Sequence, residues 1–337
     1  MVFIDIVILT LNEEAYLEEC IDSVLNFSLP PDTDITIYIA DGGSTDKTLE
    51  IIQTYIDSNY PIILINNRQR IQSAGMNAAI NQGKGDYVLR LDAHSIFDTD
   101  YLKKCFETSI RTDADNVGGV LTTMPGSDGL GAKIVQYITS HPFGVGNSNF
   151  RIGSIEGNVD TVPFGFFKKS IFNKIGGFDE RLLRAQDYEL NKRIIKNGGI
   201  VWLNPEIKAK YFNQPSFSKF FKKILFLEAP YNAYMWYLAP YTFSLRHSIT
   251  AFFTLGLIGG LFLSFYSNII FIIFFLVMAI YFCLSLMSSI QISFENKDPA
   301  QIIILPLCFF IFHTFHGFGV LYGIVSAPFK DFSVKVT

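Results

Sequence analysis

The sequence has few cysteines and none in paired spacing, little charge near its end, and none of the glycine signatures of the common nucleotide folds. Cys20, Cys105, Cys283 and Cys308 stand far apart. Their spacing suggests neither a zinc site nor a disulfide framework, and it fits a reducing compartment. No Gly-x-Gly-x-x-Gly follows a strand, and no glycine-rich loop ends in Gly-Lys-Ser/Thr, so the dinucleotide fingerprint and the P-loop are absent. The net charge of -4 and aromatics in no RNA- or DNA-binding motif give no case for a nucleic-acid partner. There are no internal repeats and no low-complexity segments. Met1-Val2-Phe3-Ile4-Asp5 lacks a basic leader and reaches an acid too early for a signal peptide. The first domain is therefore expected to stay in the cytoplasm.

Charge disappears almost completely between Arg246 and Lys330, where only Glu295, Lys297 and Asp298 are ionised. The rest of that stretch is Phe, Ile, Leu and small residues in runs long enough to cross roughly 30 Å of hydrocarbon at 1.5 Å per helical residue. A soluble domain followed by a membrane anchor is the organisation this predicts.

The soluble part alternates. Phe3 to Leu9 reads as a strand, Asn12 as the N-cap of a helix running to about Phe27, and Pro30-Pro31 as its stop. Ile35 to Ala40 is a second strand, ending in Asp41-Gly42-Gly43-Ser44-Thr45-Asp46 before a helix with Leu49, Ile52, Tyr55 and Ile56 at helical spacing. Ile62 to Ile65 is a third strand, Ser73 to Gln82 a third helix and Tyr87 to Leu91 a fourth strand. Near-continuous apolar strands alternating with helices call for an α/β fold with a mainly parallel sheet covered on both faces.

The fourth strand ends in Asp92-Ala93-His94. In such sheets ligands bind outside the carboxyl ends of the strands. A carboxylate and an imidazole two residues apart suit Mn²⁺ or a similar ion, with substrate phosphates completing the sphere. Two readings stand for this triplet: a metal site, or a turn-capping Asp with a solvated His. Asp41 likewise stands either at a ligand or in a tight turn that caps a helix.

Thr10-Leu11-Asn12-Glu13-Glu14, Asp41-Gly42-Gly43-Ser44-Thr45-Asp46 and Asp92-Ala93-His94 arrive in the order seen in family 2 glycosyltransferases, which residues 1 to about 215 resemble. The resemblance implies a GT-A (Rossmann-like) fold, a nucleotide-diphosphate sugar as donor, inversion at the anomeric carbon and a divalent metal, Mn²⁺ or Mg²⁺. It places Thr10, Asn12, Glu13, Asp41, Gly43, Asn77, Asp92 and Ala93 around the nucleotide, with Asp41 at the base and Asp92 at the ribose or metal. Asp92 and His94 become the metal ligands. The family usually carries Asp-x-Asp at that position, so His94 is a departure. Leu-Asp-Ala-His resembles the succinoglycan-type exopolysaccharide transferases in particular.

Asp100 to Thr112 continues as a helix, Asn116 to Thr123 as a strand, and Leu130 to Ile138 as an amphipathic segment inside a glycine-rich stretch from Met124 to Asp160. A connection this long is usually functional or disordered, and an acceptor or donor lid is the reading preferred here. Val159 to Phe167 is expected to be a strand. Gly176-Gly177-Phe178-Asp179-Glu180 then leads to a helix that holds Asp187 in its first turn and ends at Asn197-Gly198-Gly199. By the resemblance Asp187 is the base that takes the acceptor's proton; read alone, it is an acid that stabilises its helix. Trp202, ending a further strand, belongs either to the core or against a sugar face.

Ser216 to Tyr241 interleaves Phe and Tyr with Lys219, Lys222 and Lys223, which suits helices in a membrane interface or, more plainly, a solvated linker. The Gln-x-x-Arg-Trp motif of the family's processive members is absent, which favours single-sugar addition. Spans are read at about Ile249 to Tyr266, Ile269 to Ile290 and Ile302 to Val325, with the entry cytoplasmic. Lys330 and Lys335 beyond the last span strain that topology, and a re-entrant third segment is the alternative. His313 and His316 meet either a lipid-carrier phosphate or another helix.

The expected division is a catalytic domain over 1–215, interfacial helices over 216–247, a multi-pass anchor over 248–326 and a tail over 327–337. The expected activity is transfer of one sugar to a polyprenyl-linked saccharide at the cytoplasmic leaflet, with membrane lipid as a further partner. A polyprenyl monophosphate as acceptor and a non-catalytic nucleotide-sugar sensor are the rivals. A transporter is disfavoured, because a few spans without a repeat make a poor pathway.

Overall fold

The structure, a computed structural model, describes residues 1–153 and 155–333. Lys335, part of the topology argument, lies outside the described residues. In chain order the elements are β1 (Val2–Thr10), α1 (Leu17–Leu25), β2 (Thr33–Asp41), α2 (Thr48–Asp57), β3 (Ile62–Asn66), α3 (Gln72–Gln82), β4 (Tyr87–Asp92) and β5 (Ser95–Phe97). Then come α4 (Tyr101–Thr112), β6 (Asn116–Met124), α5 (Leu130–Ser140), α6 (Pro142–Val145), α7 (Asn149–Ile152), β7 (Gly157–Asn158) and β8 (Phe166–Lys168). The chain continues with α8 (Lys169–Ile175), α9 (Gln186–Lys196), β9 (Val201–Phe212), α10 (Phe217–Lys223), a π-helical segment (Ile224–Glu228), α11 (Ala229–Leu238), α12 (Leu245–Ser264), α13 (Asn268–Asn296) and α14 (Gln301–Ser326).

These fall into two compact units. One comprises Met1–Thr122 and Gly153–Phe212 with residues 331–333; the other comprises Thr123–Ile152 and Asn213–Lys330. In the first, the described residues form a nine-stranded mixed sheet in the order β3-β2-β1-β4-β8-β6-β9-β5, with β7 on β9. β1, β2, β3 and β4 are mutually parallel, as their near-continuous apolar runs suggest. Ile4 to Leu9 of β1 and Ile37 to Ala40 of β2 are buried, so these strands are covered on both faces. The antiparallel half is added by β8 on β4 and β6, and by β9 on β5.

Three expectations are corrected here. Asn12 is not an N-cap: α1 starts at Leu17, and Asn12 lies in the left-handed region with φ 57°. Asn tolerates that conformation, and its side chain is used elsewhere. Val159 to Phe167 does not form one strand, because only Phe166–Lys168 pairs. Pro163 has no N–H for a ladder, Phe164 has φ 46°, and the Asn191 amide donates to the Thr161 hydroxyl and the Val162 carbonyl. Trp202 is the second residue of β9 rather than the end of a strand. Asn204 Oδ1 accepts from the Glu206 N–H at 2.9 Å across Pro205, and the strand runs on with Ile207 and Ala209 buried and Lys208 and Lys210 exposed.

The second unit is helical. α12, α13 and the helical stretch Gln301–Phe329 that contains α14 are three helices long and apolar enough to cross a membrane. Its core joins α5, α10, α13 and α14 through Val135, Ile138, Phe220, Ile292, Leu305 and Phe309. His313 Nδ1 meets the Tyr281 hydroxyl at 2.8 Å, and His316 Nδ1 meets Thr250 Oγ1 at 2.7 Å. Both histidines therefore make interhelical hydrogen bonds, which suits polar groups inside an apolar bundle.

Candidate active site

The register of the parallel strands gathers the site. Thr10 closes β1 opposite Asp41, which closes β2, and Leu9 stands opposite Asp92, which closes β4. Three strand ends separated by one strand spacing, about 4.8 Å, thus carry Thr10, Asp41 and Asp92 along one edge.

Asp41 is buried, 4% exposed, and its carboxylate is surrounded by donors. The Gly43 and Ser44 N–H groups donate to Oδ2 at 2.7 and 2.9 Å, while the Ser44 and Thr10 hydroxyls donate to Oδ1 at 2.5 and 3.1 Å. Gly43 has φ 81°, so the turn that aims those N–H groups favours glycine. A Cβ there would also come 3.1 Å from Arg70 Nη2.

The 10–14 loop is tied to this turn. Asn12 N–H donates to Ser44 Oγ at 2.9 Å and Asn12 Oδ1 accepts from Thr45 N–H at 2.8 Å. Glu13 N–H donates to Thr48 Oγ1 at 2.8 Å. At Asp46 burial raises the carboxyl's pKa, but hydrogen bonds from the Thr48 hydroxyl, the Thr48 and Glu14 N–H groups and its own N–H outweigh it, and the net shift is downward.

Around Asp92 and His94 the charges are already paired. Arg90 Nη2 donates to Asp92 Oδ1 at 2.8 Å, from a side chain only 6% exposed. His94 Nδ1 lies 3.1 Å from Glu13 Oε1, and its ring packs 5.0 Å from that of Tyr211. Burial pulls the His94 pKa down, but Tyr211, the Glu13 hydrogen bond and the charges of Asp92 and Glu13 raise it to about 10. Ala93 between them is fully buried. Burial pushes the nearby Cys20 thiol well above its ordinary value, so it is an inert core group.

Among the described residues no group of three or more His, Cys, Asp or Glu side chains could hold a metal alone. The donor set nonetheless fits a divalent ion shared with substrate. A carboxylate holding one nitrogen of a histidine supports a ligand presented on the other, and Arg90 orients Asp92 in the same manner; with its raised pKa, His94 is protonated at neutral pH and ligates only when the ion displaces that proton. One carboxylate plus phosphate oxygens is also how hard ions are commonly held at phosphate sites.

Asp187 is not among the residues that the strand register gathers. It lies in the first turn of α9 and accepts from Tyr188 N–H at 2.8 Å. Its neighbour Gln186 donates to Gln72 Oε1 at 2.6 Å, at the start of α3, and Ser73 Oγ donates to the Leu182 carbonyl at 3.2 Å. Asn77 completes the docking: its amide donates to the Phe178 carbonyl at 2.9 Å and Glu180 Oε1 at 2.8 Å, and accepts from Phe178 N–H at 2.8 Å. Asn77, taken by resemblance as a nucleotide residue, is thus engaged in holding segment 178–180.

The structure therefore assembles Thr10, Asn12, Glu13, Asp41, Gly43, Asp92 and His94 on one edge and docks the start of the Asp187 helix on α3. Arg70, Arg90 and Tyr211 join them without having been singled out. A basic residue inside the apolar run Tyr87 to Leu91 was the readable signal for Arg90.

Comparison with known proteins gives a consistent picture. The family described as Glycosyl transferase family 2 matches residues 5–176. The dolichyl N-acetyl-α-D-glucosaminyl phosphate 3-β-D-2,3-diacetamido-2,3-dideoxy-β-D-glucuronosyltransferase of Methanococcus voltae is 30% identical over 97% of this chain and 98% of its own. The succinoglycan biosynthesis protein ExoA of Rhizobium meliloti is 32% identical over 61% of this chain and 62% of its own. Among solved structures, TarS 1-349 of S. aureus in complex with UDP-GlcNAc superposes with a TM-score of 0.50 at 17% identity, over 94% of this chain and 90% of that one. That likeness concerns the fold.

Proposed function

From the premise that this chain belongs to glycosyl transferase family 2 and is a glycosyltransferase, we propose that it moves one sugar from a nucleoside-diphosphate sugar to a lipid-linked saccharide, with inversion. Two relatives support the acceptor class: one is named for a dolichyl-phosphate-linked sugar and one for succinoglycan biosynthesis. The three long apolar helices fit a substrate that resides in a membrane, and the reading places the catalytic unit on the cytoplasmic side.

The division into a catalytic domain over 1–215, interfacial helices over 216–247, an anchor over 248–326 and a tail belongs to the same proposal. The single observation that carries the site assignment is the register that sets Thr10 and Asp41 opposite each other and Asp92 on the next strand.

In this reading Asp41, preorganised by its donors, lies against the base, while Thr10, Asn12, Glu13 and Gly43 shape the nucleotide pocket. Asp92 and His94 would hold a divalent ion, which supplies positive charge to the departing diphosphate. Arg90 fixes Asp92, and Glu13 fixes His94. Arg70, over the Asp41 turn, adds a second cation for the phosphates. Asp187 takes the proton from the acceptor hydroxyl as it attacks the anomeric carbon, and Asn77 keeps that aspartate's segment in place.

The test is a screen of labelled nucleotide sugars with purified protein, a divalent ion and prenyl-linked acceptors, followed by mass spectrometry of the lipid product. The reading expects one added hexose-type residue. A donor that binds without transfer or hydrolysis across all acceptors supports the sensor instead.

A further inference from the structure

The second unit contains a groove that the transfer chemistry leaves unexplained. α10 runs into the π-helical segment before α11, and a π segment is wider than an α-helix and often marks a functional place. Gly319 of α14 is pressed against this segment and the start of α11: a Cβ there would come 3.0 Å from the Leu225 carbonyl and 2.7 Å from Ala229 Cβ. About one and two turns earlier the same helix carries Phe315 and Ile311. The Phe315 ring meets Phe221 edge-on at 5.6 Å.

A groove lies beside this ring pair. Its volume is about 370 Å³, within the usual size of a small-molecule pocket. Phe217, Phe221, Leu225, Ile311 and Phe315 make its walls, and Lys222 is the one charged side chain among its lining residues. Lys223 is paired with Glu228 at 3.3 Å, whereas Lys222 is exposed.

We propose that this groove holds the first isoprene units of a prenyl phosphate, with Lys222 on the phosphate. The inference rests on the reading of the acceptor as lipid-linked and gives that lipid a place. One slot with one cation matches a single chain bearing one phosphate group. A phospholipid would leave its second chain outside. Aromatic walls suit a methyl-branched, unsaturated chain.

The experiment uses the full chain in phosphatidylcholine nanodiscs with a diazirine-bearing prenyl phosphate, followed by peptide mapping. Label should concentrate on 217–226 and 311–315 and be displaced by unlabelled prenyl phosphate but not by phosphatidic acid. Lys222→Gln should cut labelling and raise KM for a prenyl-phosphate-linked acceptor about tenfold, the loss of one charge-assisted contact, with donor Kd and the KM of a free saccharide acceptor lacking the prenyl phosphate unchanged.

Leu225→Trp, which fills the slot, should act similarly; if it misfolds, the exposed Lys222 variant carries the test. Label spread evenly over the long helices, or equal displacement by phosphatidic acid, overturns the groove assignment. Equal use of a prenyl-phosphate-linked acceptor and of the same saccharide without the prenyl phosphate overturns it too, while leaving the transfer activity standing. Specific labelling with no lipid acceptor glycosylated supports the groove and removes the acceptor reading.

Discussion

Replacing Asn77 by Ala should slow the reaction without loosening the donor. The amide makes three hydrogen bonds at 2.8 to 2.9 Å to Phe178 and Glu180, and Gly177 leaves room for it, since a Cβ there would lie 2.3 Å from Asn77 Oδ1. At about 1 kcal/mol net for each neutral bond, somewhat more for the one to a carboxylate, the clamp contributes about 3 kcal/mol to holding segment 178–180 on α3.

Asp187 follows that segment, and a misplacement of about 1 Å at a reacting group costs about a hundredfold in rate. Asn77→Ala is therefore expected to lower kcat about a hundredfold while donor Kd moves less than about twofold. Kinetics on a labelled donor and calorimetric titration of the nucleoside diphosphate measure the two separately. A tenfold weaker donor Kd with kcat intact would refute the clamp and restore Asn77 to the nucleotide pocket.

Asp187→Asn should lower kcat by about 10² to 10⁴ for a hydroxyl acceptor, as loss of a general base does, and a small loss would favour a phosphate acceptor. Arg90→Met removes one partner of a largely buried pair; a double-mutant cycle with Asp92→Asn should give a coupling of about 1 to 3 kcal/mol in donor binding, and additivity would remove the positioning role. His94, with a folded pKa of about 10 against an ordinary 6.5, contributes stability that is complete below about pH 6.5 and is lost as pH rises towards 10. Histidine NMR of Glu13→Gln should show that pKa lowered; an unchanged value would mean that Glu13 does not hold the imidazole.

How much of this was legible in the residues follows from how locally each feature is determined. The parallel strands and their polar ends were readable because Ile6 to Leu9 and Ile37 to Ala40 are apolar and stop at Thr10 and Asp41. Asn12 was readable as part of the site but not as a left-handed residue bridging two loops, since its partners Ser44 and Thr45 belong to the next strand end. The role of Asn77 was hidden because the groups it binds lie 101 and 103 residues away. Val159 to Phe167 looks like a strand by composition, yet Asn191 and Pro163 direct its backbone elsewhere, a tertiary effect that propensity does not contain.

The most direct test titrates one nucleoside diphosphate, with a divalent ion present, into the wild-type protein and into Asp41→Asn, Asp92→Asn and Asp187→Asn variants shown to be folded. If the strand ends form the donor pocket and Asp187 serves the acceptor, the first two should lose about tenfold or more in affinity, one charge-assisted contact each, and the third should bind like wild type. Wild-type affinity in Asp41→Asn and Asp92→Asn together would contradict the account.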